Sequence, residues 1–373
     1  MKILPLTVLN IVLLLLGLLL ASASAAEQKL RLLVWEGYAP TDQVQRFEGY
    51  IAAKYRRRVR LEVKHVSNTK QFFNAVRGKK ADIISPAHNL INDHRFNFIK
   101  NKLFLPIKLE HIPNYNEIVP ALKRIGALEK SGEIYGVPFI CGPYGLAYNT
   151  ELMEAPTSWN LLWDPAFKNR YAITGDYYEV NIYITALALG YTGNDLYRFD
   201  TMNTPRFKQR LHALIKNAAV LWKGVDTADD LLGLPLGCVW GFSIPELKKQ
   251  GEKWRIAEPG EGTMGWVDCL GLGYSLKNKP FLRRVGEEWL NFAIGPDFQR
   301  DTVVRRLGST PVNRSIVTQL SPEEIARFHL DDPEHFQKNR ILMPTITSKR
   351  NRNGIKMLWD EAMENARPRT GAQ

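Results

Sequence analysis

The stretch LLVWEGYAP, Leu32–Pro40, decides how the rest of the chain is interpreted. Its apolar part belongs to a run typical of a buried strand, Leu30–Trp35, and a turn at Gly37 places Tyr38 just beyond the end of that strand. An aromatic residue that served only the core would stand within the strand. We therefore expect Trp35 and Tyr38 to contact something other than the core.

The segments that follow alternate between helix and strand patterns. A helix capped by Thr41, a half-exposed strand over 59–64, a short helix over 71–76 and an apolar strand over 81–85 are predicted in this order. Such an order predicts right-handed crossovers and a parallel sheet. Ligands of these sheets bind beyond the carboxyl ends of the strands, which is where the two aromatic residues lie.

The second half of the chain shows the same alternation. Residues 134–149 are predicted to form a long strand pair, punctuated by Gly and Pro, that crosses between two lobes. Further strands are predicted at 172–174, 237–242 and 266–274, and helices or turns at 158–168, 180–190, from Ile244, and at 281–292, 297–307 and 354–366. No internal repeat or flexible linker is found, so we expect two α/β lobes connected by ordered strands.

The first 26 residues are predicted to form a secretory signal peptide. Lys2 precedes an almost wholly apolar run, Leu6–Leu20, and the small residues Ala21–Ala26 supply a cleavage zone. An uncleaved membrane anchor is the alternative, although the run is short for a bilayer span of about 20 residues. No second run of that length follows. We expect cleavage near Ala25 or Ala26 and a soluble mature protein in the periplasm.

The chain is basic, with a formal net charge of +12. Because Lys2 is the one charged residue in the predicted signal peptide, the mature protein would carry 12 − 1 = +11. An exported protein rarely meets nucleic acid, so nucleic acid is not predicted as a partner. Solvated faces, or contact with an anionic membrane surface, account for a charge of this sign.

The three cysteines are Cys141, Cys238 and Cys269, and they cannot all pair within one chain. All three lie in apolar, strand-like stretches. We expect buried free thiols, which behave as small apolar side chains. A disulfide between Cys238 and Cys269 is the alternative in an oxidising compartment.

No catalytic or cofactor motif is found in the sequence. It contains no phosphate-binding glycine loop, no dinucleotide fingerprint, no HExxH and no CxxC. His88 and His94 are too far apart for the ligand pair of one helical turn, and the seven histidines do not otherwise cluster along the chain. Ser243 lacks the glycine frame of a nucleophile elbow. The sequence predicts neither an enzyme, a metal site nor a cofactor; a secreted hydrolase that uses strand-end acids is the weaker alternative.

Acids and aromatic residues recur at strand ends in the second half. Asp176 and Glu179 lie in TGDYYEV at a helix start, where capping of the helix is the alternative role. Trp240 lies in GCVWGF, where a core position is the alternative. Trp266 and Asp268, in GWVDCL, are two apart on a strand and so face one side. An unpaired acid within an apolar strand is costly to bury, which makes Asp268 the strongest candidate for a functional residue.

These stretches together resemble the periplasmic spermidine/putrescine-binding proteins of bacterial ABC importers, and the resemblance covers essentially the whole mature chain. The pattern W-x-x-L-W-x-P-x-x-K at 159–168, combined with W-x-D in its strand, is the most specific part. The motifs that carry the resemblance are LLVWEGYAP (32–40), TSWNLLWDPAFKNRYAITGDYYEV (157–180), ALGYTGND (188–195), GCVWGF (237–242), GTMGWVDCLGLGYSLKNK (262–279) and LGSTPVN (307–313).

The resemblance implies a type II periplasmic binding protein fold: two α/β lobes, each a mostly parallel sheet flanked by helices, with hinge strands between them and the ligand trapped in the cleft. Lobe 1 would comprise residues 27–137 and about 270–312, and lobe 2 residues 138–269 and about 313–373. The resemblance implies that Trp35 and Tyr38 form an aromatic wall and that Asp176 and Glu179 bind one amine as an acidic pair. It implies that Trp240 and Trp266 lie along the alkyl chain and that Asp268 binds another amine.

Three positions depart from the family pattern and bear on ligand preference. Ala87 and Asn89 stand where the family often has Ser and Tyr, and Ser309 stands where it often has Tyr. The resemblance implies a polyamine ligand, an inner-membrane ABC permease as partner and a monomeric state. A polyamine sensor that docks on a membrane signalling receptor, and a binder of another cationic or zwitterionic small molecule, stay open as alternatives.

Overall fold

The structure is a computed structural model that describes residues 28–123, 125–332 and 334–366. The predicted signal peptide lies outside these residues. The strands are β1 Gln28–Val34, β2 Val59–His65, β3 Ile83–Ile84, β4 Glu129–Lys130, β5 Glu133–Ile134, β6 Val137–Asn149, β7 Tyr171–Thr174, β8 Val220–Trp222, β9 Leu236–Val239, β10 Trp254–Ile256, β11 Thr263–Leu272, β12 Thr310–Pro311 and β13 Arg340–Leu342.

Helices alternate with the strands along the chain. The α-helices are α1 Thr41–Tyr55, α2 Lys70–Arg77, α3 His88–Ile91, α4 Pro120–Lys123, α5 Tyr178–Ala188, α6 Phe199–Met202, α7 Pro205–Lys216, α8 Ile244–Lys249, α9 Pro280–Ala293, α10 Pro296–Phe298, α11 Pro322–Phe328, α12 His335–Asn339 and α13 Lys349–Ala366. A π-helix, Gln299–Arg306, continues α10.

The main sheet consists of two parallel parts joined through an antiparallel centre. Its order is β2-β1-β3-β11-β6-β9-β7-β8. Strands β1, β2 and β3 are parallel, as are β7, β8 and β9. Between these parts, β11 and β6 run antiparallel to each other and to their outer neighbours. This mixed α/β arrangement confirms the fold class predicted from the sequence.

Strand β6 connects the two parts because its halves have different neighbours. Its first half lies between β11 and β12, at Ile140 and Cys141. Its second half lies between β9 and β10, over residues 145–149. The crossing predicted at 134–149 is thus one 13-residue strand preceded by the short β5, rather than a strand pair of equal arms. The lobe boundaries expected from the sequence stay a prediction.

Local sequence explains how α1 begins. Pro40 has φ −67° and ψ 149°, an extended conformation, and the helix starts at the next residue. The prediction that Thr41 caps this helix is wrong, because Thr41 is the first helical residue and no side chain caps the amides. Burial of Phe47 and Ile51 holds the helix against the sheet instead.

Two other elements differ in kind from the prediction. Residues 158–168 form two short 3₁₀ turns, Trp159–Trp163 and Pro165–Phe167, of which the first is capped by the Ser158 hydroxyl. The helix expected at 297–307 is mostly π-helical. Hydrophobic periodicity does not distinguish these variants from an α-helix, since all of them place apolar residues on one face.

The cysteines behave as expected for apolar side chains. Cys141, Cys238 and Cys269 are free and buried in strands β6, β9 and β11, respectively. Burial raises the pKa of the Cys141 thiol to about 12, so the thiol stays protonated. The alternative Cys238–Cys269 disulfide is not formed. Among the described residues, no helix is both long and apolar enough to cross a membrane.

Candidate functional site

Asp268 is a buried carboxylate held at an irregularity of the sheet. It lies on β11, where the register with β6 shifts between Asp268 and Cys269, and its backbone also forms a bridge with Ala87. Such a shift re-aims a side chain relative to a regular ladder. Asp268 is 6% exposed, and no ion pair joins it to any cation among the described residues. Burial raises its pKa to about 7.

Tyr38 donates a hydrogen bond to the Asp268 carboxylate. Its hydroxyl donates to Asp268 Oδ2 over 2.7 Å, and its ring packs edge-on against Phe139. Tyr38 is itself 4% exposed, and burial, followed by the charge of Asp268, raises its pKa well above the ordinary value. Tyr38, just after the end of β1, therefore provides a hydrogen-bond donor to Asp268 as well as an aromatic ring.

Trp35 occupies the neighbouring position and is half-buried. Its indole packs edge-on against Phe72 with the ring centroids 5.6 Å apart, and its backbone N–H donates to the Ser85 hydroxyl. Its carbonyl accepts from the Tyr38 amide over 3.2 Å. Trp35 thus lies close to Tyr38, which binds Asp268, but its own ring packs against Phe72 of α2. Its role as a ligand wall stays a prediction.

Trp240 and Trp266 meet at the centre of an aromatic cluster. Their ring centroids lie 6.5 Å apart at 85°, an edge-to-face geometry that aromatic pairs favour. Tyr177 packs edge-on against Trp240 at 5.6 Å, and Phe242 lies against Trp266 at 5.8 Å. Burial raises the pKa of Tyr177, and the nearby charges of Asp176, Asp268 and Glu179 raise it further. Tyr177 thus lies among all three predicted acids.

The glycine opposite Trp266 explains how an indole fits across the crossing strand. Gly142 pairs with Trp266 in the β6–β11 ladder, and a Cβ there would lie 2.8 Å from Trp266 Cζ2. The indole N–H donates to the Pro143 carbonyl over 3.1 Å. The sequence motif around 141–145 therefore provides space for the ring, as well as a path between the two parts of the sheet.

The buried side chains of Asp226 and His88 bind the backbone next to Trp240 and Trp266. Asp226 accepts hydrogen bonds from the backbone amides of Trp240, at 2.8 Å, and Ser243, at 2.9 Å, and so fixes the turn that follows β9. His88 accepts from the Val267 amide and, through its other ring nitrogen, contacts the Met343 carbonyl. Burial lowers the pKa of His88 to about 4, so its imidazole is neutral.

Asp176 is the exposed acid of the predicted set. It does not cap α5, whose first turn has no side-chain cap, so the capping alternative is wrong. Its carboxylate accepts from the Thr174 hydroxyl at 3.1 Å and from the Gly224 amide at 3.0 Å. Neither donor carries a charge. Among the described residues, no cation is paired with Asp176, and its negative charge remains available to a ligand.

Glu179, in contrast, is already paired. Arg352 donates to Glu179 Oε1 over 2.5 Å, and the Arg95 guanidinium lies 3.5 Å from the same oxygen. Both arginines also bind Asp93. The acidic pair implied by the resemblance is therefore split: Asp176 is free of cations and Glu179 is neutralised by this chain's own side chains.

The three departures from the family pattern have different surroundings. Ala87 contributes backbone to the bridge with Asp268. The side-chain oxygen of Asn89 is buried and accepts no hydrogen bond from the described residues. Ser309 lines a cavity of about 1510 Å³ that also borders Trp240 and the middle of β6. Of the seven predicted site residues, Trp240 is the one that lines this cavity.

One group of side chains has the spacing of metal ligands. Glu258, His329 and His335 each offer an atom within 4.8 Å of the others, and the two imidazole rings are stacked. The sequence-based expectation that the histidines do not cluster is wrong here, since the fold brings these two together. Both carboxylate oxygens of Glu258 already accept from Arg340, at 2.6 and 2.7 Å, so this guanidinium supplies the positive charge at that position.

The structure thus joins Tyr38 to Asp268 and Trp240 to Trp266, with Asp176 nearby, and it assigns Glu179 to an ion-pair cluster. Sequence reasoning missed Tyr177, although it stands in the quoted TGDYYEV motif. It also missed Arg95 and Arg352, for which the sequence gives no signal. We call Tyr38, Tyr177, Trp240, Trp266 and Asp268 the acid–aromatic site.

Two α/β halves linked by the crossing strands β6 and β11 are the architecture of the two-lobed solute-binding proteins. The chain belongs to the bacterial extracellular solute-binding protein family, whose model matches residues 78–331. It is related to the spermidine/putrescine-binding proteins of ABC transporters, which confirms the resemblance seen in the sequence. These relatives are named as binding and transport proteins.

One curated relative is the spermidine/putrescine-binding periplasmic protein of Salmonella typhimurium, 29% identical over 192 residues, which are 51% of this chain and 53% of the relative. The chain thus spans about half the length of the curated relatives it matches.

Solved structures share the fold over nearly the whole chain. A putative spermidine/putrescine ABC transporter protein from Listeria monocytogenes has a TM-score of 0.73 at 17% identity, with 91% of this chain and all of that chain covered. The PBP MotA from A. tumefaciens in complex with glucopine has a TM-score of 0.65 at 14% identity, with 90% and 100% covered. The same fold therefore holds different ligands.

Proposed function

We propose that this chain binds a small polyamine in the acid–aromatic site and delivers it, in the periplasm, to an inner-membrane ABC permease. The observation that carries the proposal is Asp268, a buried carboxylate whose hydrogen bond comes from a neutral hydroxyl and which has no cationic partner among the described residues. A buried charge without a partner is costly, and a ligand ammonium group would compensate it.

The rings around Asp268 suit the rest of such a ligand. Methylene groups lose water favourably against apolar surface, at about 0.8 kcal/mol for each one buried. Aromatic faces also attract cations, with about 0.5–2 kcal/mol for each well-placed pair. Trp266 lies two residues from Asp268 on β11 and contacts Trp240, which contacts Tyr177, and these rings offer such faces. Asp176, which is exposed and free of cations, suits a second ammonium group.

Entry of the ligand requires the two halves to separate. Asp268 and Tyr38 are nearly inaccessible in this structure. We expect the crossing strands β6 and β11 to act as the hinge, so that the ligand-free protein samples an open state and the ligand stabilises the closed one. Solution scattering should show a smaller radius of gyration at saturating ligand; an unchanged radius would contradict the hinge.

The test of ligand class is calorimetry of the mature protein with putrescine, norspermidine, spermidine and spermine. We expect at least one to bind at micromolar affinity, about −8 kcal/mol. Asp268→Asn should weaken that binding more than tenfold while the circular dichroism spectrum is unchanged. Asp229→Asn, a change at an exposed acid that makes no ion pair among the described residues, is the matched control and should bind normally. Equal affinities for the two variants would refute the site.

The partner is a separate part of the proposal. A membrane signalling receptor in place of the permease is the alternative prediction, and both would recognise the outer surfaces of the lobes rather than the site. Uptake of labelled polyamine by cells with and without this gene would test transport. Unchanged uptake, together with normal ligand binding by the purified protein, would favour the receptor.

A further inference from the structure

Glu179 lies in a cluster of four charged side chains contributed by distant parts of the chain. The Arg352 guanidinium donates to Glu179 Oε1 and to Asp93 Oδ2. Arg95 donates to Asp93 Oδ1 over 2.8 Å and lies 3.5 Å from Glu179. Two carboxylates and two guanidinium groups sum to zero charge. The cluster therefore offers no net attraction to an ammonium group from solution.

Burial fixes this cluster in place. Asp93 is 0% exposed and Arg352 is 4% exposed. A ligand ammonium group that displaced Arg352 from Glu179 would leave a buried guanidinium with a lost partner, which is strongly unfavourable. An ammonium group that approached without displacing it would lie beside two cations. Glu179 is thus closed to the amine that the family resemblance implies there.

The acids that remain near the rings limit the charge of the ligand. Asp268 and Asp176 have no cationic partner among the described residues. Asp226 also has no cationic partner among the described residues, but each of its oxygens accepts from a backbone amide, of Trp240 or of Ser243, and it is 3% exposed, so we do not count it among the acids open to a ligand. Two uncompensated carboxylates balance two ammonium groups. A third ammonium group would have no acid of its own.

We propose that Arg352 takes the place of one ligand ammonium group at Glu179 and thereby sets the specificity of the site for diamines over triamines and tetramines. This inference rests on the proposed polyamine function and names the ligand class within it. Arg352 acts as a specificity-determining residue, since its guanidinium already binds the Glu179 carboxylate that a third ammonium group of a longer polyamine would need.

The test compares putrescine with spermidine by calorimetry at one ionic strength. The wild type should bind putrescine at least tenfold more tightly. Arg352→Gln should tighten spermidine binding about tenfold and leave putrescine within threefold, because two carboxylates and one guanidinium group then give the cluster a net charge of −1. Arg350→Gln is the matched control: its side chain lies on the same helix, pairs with Asp200 at the surface, and should change neither affinity.

A second variant keeps the test valid if Arg352→Gln does not fold. The triple variant Asp93→Asn, Arg95→Gln and Arg352→Gln removes both guanidinium groups and the buried carboxylate, so Glu179 is the one charge left in the cluster, and it should show the same gain for spermidine. Wild-type preference for spermidine, or an unchanged ratio of affinities in the folded variant, would overturn the inference and leave the polyamine function standing. Binding of no amine by any form would overturn the proposed function itself.

Discussion

The buried acid should make the ligand-free protein less stable at high pH, and this cost can be measured. Burial raises the pKa of Asp268 from 3.8 to about 7, with the Tyr38 hydroxyl acting in the opposite direction. Because the folded state holds this proton more tightly than the unfolded state, the stabilising contribution is fully present below about pH 4 and is lost as pH rises through 7. Three pKa units at 1.36 kcal/mol each amount to about 4 kcal/mol.

Asp268→Asn removes this dependence without changing the shape of the side chain. The amide oxygen of Asn can still accept from the Tyr38 hydroxyl, and it has no charge to desolvate. We expect the variant to be more stable than the wild type at pH 8, with an advantage about 3 kcal/mol larger than at pH 5. Stability gained where binding is lost is a common property of functional sites.

Urea denaturation followed by circular dichroism, at pH 5 and pH 8 without ligand, measures this difference. Asp229→Asn is the control, because it makes the same change of side chain at an exposed position, and its difference from the wild type should stay constant between the two pH values. A difference for Asp268→Asn that is the same at pH 5 and pH 8 would refute the argument that its carboxylate is buried and uncompensated.

Three further outcomes are expected. Polyamine affinity, measured by calorimetry, should fall about tenfold for each pH unit below 7, because the ligand needs ionised Asp268; a flat profile would contradict this. Tyr38→Phe should move the midpoint of that profile to higher pH, since the hydroxyl that lowers the pKa of Asp268 is lost. Gly142→Ala should displace the Trp266 ring, at a cost of about 1–3 kcal/mol in stability, and weaken binding, as melting curves and titration would show.

Much of the fold follows from local sequence. The alternation of strand and helix patterns from Leu30 to Ser85 predicts three parallel strands, and the structure contains them as β1, β2 and β3. Asp268 was conspicuous because an acid within an apolar strand violates the local pattern. Both inferences depend on residues close together in the chain, so hydrophobic period and chemical type are sufficient.

Local patterns failed where backbone geometry is set by packing. The π-helix Gln299–Arg306 and the 3₁₀ turns at 159–167 are short segments with few buried apolar residues, so their sequences do not distinguish them from an α-helix. The register shift at Asp268 has no signature in either strand alone, because it arises from how β6 and β11 pair.

What the sequence alone determined is the class of protein and the chemistry of its site: an α/β solute-binding protein with acids and rings at strand ends. What only the tertiary structure decided is which of these acids remain available. Glu179 and Arg352 are 173 residues apart, and no spacing rule pairs them. A salt bridge between distant residues depends on where the whole fold places each charge and on how much water it excludes, and neither quantity is written in the neighbourhood of either residue.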